Sequence, residues 1–213
     1  MTVPTPDAIG RPQAPMAPPD SPTTRRGVAR RLASHASTKV ILASAIPLLA
    51  ARLWLRGFGY ADLVAAVVVA TAFPIFERVL HIAMHVPPVR IFGRTFDPEL
   101  ARSHRRHHVV PGTLDDMLLP PRFLLGLAAI AWLVLPWVLG PRVGWTAGVV
   151  FHLGGLLNGW VHLSTHCRVK PRTRYFAWVR RNHHLHHFKD PTRWFSFTGP
   201  WLDGSAGDHH AGR

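Results

Sequence analysis

The chain has 213 residues, enough for one sizeable domain, and sets 25 Lys and Arg against 11 Asp and Glu, for a formal charge of +14. Such a surplus invites a nucleic-acid reading, but long uncharged runs of Ala, Leu and Val separate the basic clusters, and a soluble nucleic-acid binder would have to expose them. The single cysteine, Cys167, excludes an internal disulfide framework and a cysteine-based zinc ribbon.

Residues 1–38 are rich in Pro, Ser and Thr and contain Arg25, Arg26, Arg30 and Arg31; without apolar periodicity they are predicted to be a disordered basic tail. No apolar run precedes a small-residue cleavage site, so the tail does not read as a secretory signal. The domain proper is expected over residues 39–207. Its first apolar stretch runs from Val40 to Ala51 and on past Arg52 to about Phe58, with Arg52 expected to snorkel from near a helix end. The second runs from Leu63 to Phe76 and continues as a helix bearing His81 and His85, with Gly57 and Gly59 marking a tight connection before it. The third, Phe123 to Gly140, is uncharged and about 27 Å long at 1.5 Å per residue, close to the ~30 Å hydrocarbon core. The fourth, Val143 to Cys167, has no Lys, Arg, Asp or Glu. Pro74 and Pro136 are kinks that membrane helices tolerate. The pattern predicts an all-α integral membrane protein with four transmembrane helices in two hairpins, ending in a C-terminal tail over 208–213.

Ten histidines fall into four boxes, His81-x3-His85, His104-x2-His107-His108, His162-x3-His166 and His183-x2-His186-His187, so the two halves of the chain repeat one pattern. Residues four apart lie one above the other on a helix, so paired imidazoles can converge on one ion. Positions i, i+3 and i+4 span an arc of roughly 100°, which allows three imidazoles to point the same way. Ten ligands exceed the needs of one ion, since a structural zinc takes four and a catalytic zinc usually three. A dinuclear centre is the economical count.

A shared centre requires all four boxes on one side of the bilayer. With the amino terminus inside, the first two boxes follow the second span and the last two follow the fourth, so the metal site and both termini face the cytoplasm. Charge gives the same orientation: the Arg25–Lys39, Arg90–Arg122 and Arg168–Arg193 clusters lie inside, against only Arg56 and Arg142 in the outer turns. The abundance of Ala, Arg, Gly and Pro suggests a bacterial source, and hence the cytoplasmic membrane.

These motifs resemble the fatty acid hydroxylase and sterol desaturase superfamily of histidine-box, non-haem diiron membrane enzymes, over roughly residues 60–207. The segment GWVHLSTHCRVKPRTRYFAWVRRNHHLHHFKDPTRWFSFTGPWLDGSAG carries the likeness best, with Trp160, Pro171-Arg172, Tyr175, Trp194-Phe195 and Asp203 where bacterial fatty acid hydroxylase-like proteins have them. The resemblance implies that His81, His85, His104, His107, His108, His162, His166, His183, His186 and His187 bind two irons and constitute the catalytic site. It implies dioxygen as co-substrate and hydroxylation of a lipid acyl chain in lipid biosynthesis. His184 lies off the i, i+3, i+4 face of its box and is left out of the ligand set. One departure is Gly159, which stands where relatives often have an acidic residue before the tryptophan of box three. Glu77, one turn before His81, can supply an outer carboxylate instead, or pair with an interfacial arginine.

The sequence has no Rossmann glycine fingerprint, haem-attachment motif or cysteine cluster, so electrons are expected from an external carrier such as a ferredoxin or b-type cytochrome. The basic inner face would attract an acidic carrier and anionic head groups alike. A sterol desaturase or carotenoid hydroxylase of the same superfamily is the alternative reading. A non-catalytic zinc-binding membrane protein is the alternative of another class, since imidazole also suits zinc. Among the remaining groups, His152 is expected to hydrogen-bond as a neutral imidazole to a neighbouring helix, Asp115 and Asp116 to cap the third span or touch ligand imidazoles, and His35, His209 and His210 to be solvated.

Overall fold

The computed structural model describes residues 12–113 and 115–204; the expected C-terminal tail, with His209 and His210, and residues 1–11 of the N-terminal tail lie outside the described residues. Part of that N-terminal tail is ordered. Helix α1 (Arg25–Ser34) starts at Thr24, whose side chain accepts a hydrogen bond from the Gly27 N–H. Its four arginines obscure a short apolar stripe: Val28 and Leu32, four residues apart, are buried beside Met117, Leu163 and Cys167. His35, expected to be solvated, joins α1 to α2 (Ala36–Trp54): its Nδ1 accepts from the Ser37 N–H and caps α2, and its Nε2 lies 3.1 Å from the Asp115 carbonyl.

The bundle consists of α2, α3 (Tyr60–Met84), α5 (Pro121–Leu139) and α6 (Pro141–Thr165). Helix α5 takes a π turn over Ile130–Val134, just ahead of Pro136, where the missing proline N–H already interrupts the α-helical ladder. Among the described residues three helices, α2, α3 and α5, are long and apolar enough to cross a membrane; the expected fourth, α6, exceeds two of them in length but is not among them. Its position explains the lower hydropathy. It packs against α2, α3 and α5 and buries Thr146 and His152, while of its large apolar side chains only Leu153 and Leu157 are exposed. Close approach needs its glycines: a Cβ on Gly144 would lie 2.5 Å from the Leu135 carbonyl, and one on Gly154 2.5 Å from the Phe73 ring. Gly144 and Gly148 supply the four-residue spacing of small residues that lets membrane helices approach closely.

At the end of the bundle away from the histidine boxes, Arg52 does not snorkel. It is fully buried with Asp62, 2.8 Å away, and donates from Nε to the Thr146 hydroxyl and from Nη2 to the Gly57 carbonyl. Thr146 in turn donates to Asp62, and Asp62 also accepts the Gly59 N–H that opens α3. One ion pair thus ties α2, α3 and α6 together.

At the opposite end lie α4 (Glu99–Val109), α7 (Arg174–Phe188) and the short α8 (Trp201–Gly204). An antiparallel hairpin of β1 (Val89–Ile91) and β2 (Arg94–Phe96) links α3 to α4, a small departure from the all-α expectation. The N-terminal segment crosses this end: the Gln13 N–H donates to the Val109 carbonyl and the Arg168 N–H to that of Pro22.

Candidate metal centre

The four boxes sit where helices stop or converge. His81 lies in the last turn of α3 and His85 caps it; His162 and His166 repeat the arrangement at the end of α6. Boxes two and four lie on α4 and α7. All ten side chains are buried, none more than 5 % exposed.

The structure brings the ten together as two groups of five. One contains His81, His85, His104, His108 and His186; the other His107, His162, His166, His183 and His187. Within each group the ligand atoms all lie within 4.8 Å of one another. The arc of three imidazoles expected from each HxxHH box is therefore divided. Positions i and i+4, about 40° apart, serve one group, and position i+3, about 60° to the other side of i, reaches across to the second. His107 joins the boxes of the carboxy-terminal half, and His186 joins those of the amino-terminal half. The exchange is reciprocal, so neither half of the chain completes a shell alone.

The spacing suits metal ions. Nε2 of His104 lies 3.1 Å from Nε2 of both His81 and His108, Nε2 of His186 lies 3.2 Å from that of His108, and Nε2 of His166 lies 2.7 Å from that of His183. Neighbouring nitrogens around one ion with bonds of about 2.0–2.1 Å stand about 2.8–3.4 Å apart; three of these four spacings fall in that range and the His166–His183 pair lies just below it. The buried Nε2 atoms of His85, His107, His162 and His187 have no protein hydrogen-bond partner, a costly arrangement unless a ligand takes them. Burial also holds the imidazoles neutral, the form that binds metal: desolvation lowers His85 to about 4 and puts His104, His107, His108, His166, His183, His186 and His187 well below the usual histidine range. Backbone carbonyls set several tautomers. His81, His85 and His186 donate from Nδ1 to the carbonyls of Phe195, His81 and Arg193, which turns each Nε2 toward its group. Nδ1 of His166 faces the Met16 carbonyl at 3.3 Å, a contact supplied by the N-terminal segment.

The family model described as "Fatty acid hydroxylase" matches residues 65–207, two thirds of the chain. The chain belongs to the fatty acid hydroxylase family. Among solved structures it is similar to one titled "Full length scs7p (only hydroxylase domain visible)", with a TM-score of 0.59 and 17 % identity, over 88 % of this chain and 67 % of that one; at that identity the likeness is one of fold. A search of curated proteins finds no match.

In this fatty acid hydroxylase family member, the segment 194–198 forms the wall of the histidine shells, and sequence reasoning noted only its likeness to relatives. Trp194 adopts a left-handed backbone, φ 56°, and Phe195 and Phe197 are buried after it. The Phe197 ring stacks on both His81 and His162, with centroids 5.0 and 4.3 Å away, and so bridges the two groups. Two carboxylates hold four consecutive N–H groups of this segment. Asp203 accepts from Phe195 and Ser196, and Glu77 accepts from Phe197 and Thr198, the Thr198 hydroxyl and the Asn158 amide. Asp203 also pairs with Arg78 at 3.4 Å, and the Tyr175 hydroxyl donates to the Thr198 carbonyl. Glu77 therefore neither pairs with an arginine nor bonds a ligand imidazole; it positions the loop whose Phe195 carbonyl orients His81.

Other expectations resolve simply. Asp115 and Asp116 pair with Arg31 and Arg106, and the residue capping α5 is Pro120, so neither acid caps that helix. His152 does bond a neighbouring helix: its Nε2 lies 2.9 Å from the Ser44 hydroxyl, which accepts from the Trp132 N–H, and its Nδ1 donates to the Gly148 carbonyl. His184 stays half-buried and outside both groups. A Cβ at Gly159 would meet methyl groups of Leu118 and Leu32 at 3.3 and 3.4 Å, so an acidic side chain there requires those leucines to shift.

Proposed function

We propose that this chain is an integral membrane, dioxygen-dependent diiron hydroxylase that acts on a lipid acyl chain. The observation that carries the reading is a mostly apolar cavity among α2, α3, α5 and α6 that reaches His81 and His104 of one group and His162 of the other. Its lining includes Phe73, Phe151, Leu124 and Leu127 from the bundle helices, a surface suited to methylene groups. A methylene lodged there lies beside both histidine groups at once.

Each five-imidazole group is the natural holder of one ion, and two irons would supply activation of dioxygen and attack on an unactivated C–H bond. Overall, one oxygen atom enters the C–H bond and the other leaves as water, with two electrons from an external carrier and two protons from solvent. The protein's share is positioning and exclusion. Phe195 and Phe197 pack over the imidazoles and keep bulk water out. The carbonyls of Phe195, His81 and Arg193 hold the Nδ1 protons, which keeps the ligating nitrogens free of them. The basic face around α4 and α7 would dock an acidic ferredoxin or b-type cytochrome.

With the histidine end cytoplasmic, the Arg90–Arg122 and Arg168–Arg193 clusters lie inside, in accord with the positive-inside rule, and α6 would complete a fourth span within the bundle. A bacterial cytoplasmic membrane is the proposed location. The test is lipid analysis of cells expressing the chain or its His162→Ala variant. An acyl species heavier by one oxygen atom, present only with the parent, is the expected result; an altered sterol or pigment would redirect the assignment within the superfamily. Stoichiometric zinc with an unchanged lipid profile would replace it with a non-catalytic role.

A further inference from the structure

The hairpin between α3 and α4 supplies no histidine ligand, and its composition is wrong for a water-facing turn. Val89, Ile91, Phe92 and Phe96 are all exposed, Phe92 completely at 101 %, and Arg90 and Arg94 are exposed between them. Val89 pairs with Phe96 and Ile91 with Arg94. Cross-strand partners share a face, so Val89, Ile91, Phe96 and Arg94 line one side while Arg90 and Thr95 line the other. The turn itself is Phe92-Gly93, with φ of 49° and 75°. Two-residue turns with both φ positive favour Asn, Asp or Gly at the first position, because a bulky L side chain is strained there. Placing a fully exposed aromatic ring at that position adds a hydration cost to the strain.

An isolated two-stranded hairpin is marginal in water, yet this one has a fixed base. Arg105 of α4 donates to the Val86 carbonyl and pairs with the Asp97 carboxylate, so one guanidinium holds both ends of the loop. The result is a stem anchored on the helix that carries His104, His107 and His108, with an apolar, cationic tip.

Position and charge identify the partner. Helix α3 has 25 residues, about 37 Å, longer than the ~30 Å hydrocarbon core, so its histidine-bearing last turn emerges among the head groups and the hairpin follows at that level. We propose that residues 89–96 insert into the leaflet beside the metal centre, with Phe92 among the upper acyl carbons and Arg90 and Arg94 on anionic lipid phosphates. The alternation of apolar and arginine side chains matches a boundary where hydrocarbon and phosphate meet. The hairpin's ends run into Met84 and Leu100, which line the cavity, so insertion also fixes the cavity wall relative to the lipid. The proposal rests on the membrane-embedded reading of the long helices.

The test uses the full-length, metal-loaded protein in nanodiscs containing phosphatidylglycerol, with an environment-sensitive fluorophore attached through Phe92→Cys. Buried Cys167 stays unlabelled in the parent, which serves as the blank. A second label through Val68→Cys reports the exposed face of α3. At position 92, strong quenching by a lipid quencher near the head groups and weak quenching by aqueous iodide are expected, at a depth of about 5–10 Å. Replacing both arginines with glutamine lowers the inserted fraction about fivefold for each. If position 68 is quenched by lipid while position 92 responds to iodide as free dye does, the hairpin proposal fails and the embedded helices stand. Iodide access at both positions would overturn the membrane reading as well, and insertion indifferent to phosphatidylglycerol would overturn the phosphate contacts.

Discussion

The two ends of the helical bundle bury ionisable groups in opposite ways. At one end Arg52, Asp62 and Thr146 bond one another within three helices. At the other, ten imidazoles converge, and the Nε2 atoms of His85, His107, His162 and His187 have no protein partner. A buried charge satisfied by its neighbours makes a structural tie, and removing one member exposes the cost of the other. Buried, convergent and unpartnered donors make sense only with something between them. The contrast separates residues that hold this bundle together from residues it holds in place.

The largest effects should come from the exchanged ligands. His107→Ala combined with His162→Ala is expected to cost one metal per chain, because both residues serve the same group; His107→Ala combined with His81→Ala should cost both. Elemental analysis of purified variants reads the difference, and the opposite pairing would break the proposed division of the boxes. Either combination should lower hydroxylation by about 100-fold or more.

Next come the structural ties. Arg52→Ala leaves Asp62 buried and unpaired, a loss of about 3–5 kcal/mol in unfolding free energy, whereas Arg52→Met with Asp62→Leu should recover most of it. Metal content in whatever folds should be unchanged. If the double variant proved as unstable as the single one, the self-contained ion pair would be the wrong description. Glu77→Gln is intermediate, since it acts on the metal end through the loop. Metal affinity should fall about 10–100-fold, the range for groups behind ligands, and Thr198→Val should move it less in the same direction. A stability loss with unaltered metal affinity would reduce Glu77 to packing. The smallest effect belongs to His184→Ala, for which unchanged metal content and stability within about 0.5 kcal/mol are expected; metal loss there would mean that the ligand set is incomplete.

How far the sequence reveals this arrangement depends on the range of the interaction. The histidine boxes are legible because i, i+4 spacing is local and helical, and the long apolar runs of α2, α3 and α5 are legible for the same reason. The exchange of His107 and His186 is not, because it depends on which way two helices face each other. Glu77 and Thr198 are separated by 121 positions, and no periodicity links them. Arg52 reads as a snorkelling residue until Asp62 and Thr146 are brought beside it. Helix α1 is masked by its own arginines, and the β1–β2 hairpin is too short for a periodic signal. Helix α6 reads as one more span, while its glycines and His152 show that its task is to fit among the others.

Metal content per chain, measured on detergent-purified protein after iron-replete expression, decides whether the two histidine groups each hold an ion. About two irons are predicted in the parent and none when His107, His108, His186 and His187 are all replaced. Well-folded parent protein with little metal, or with one ion only, would contradict that prediction.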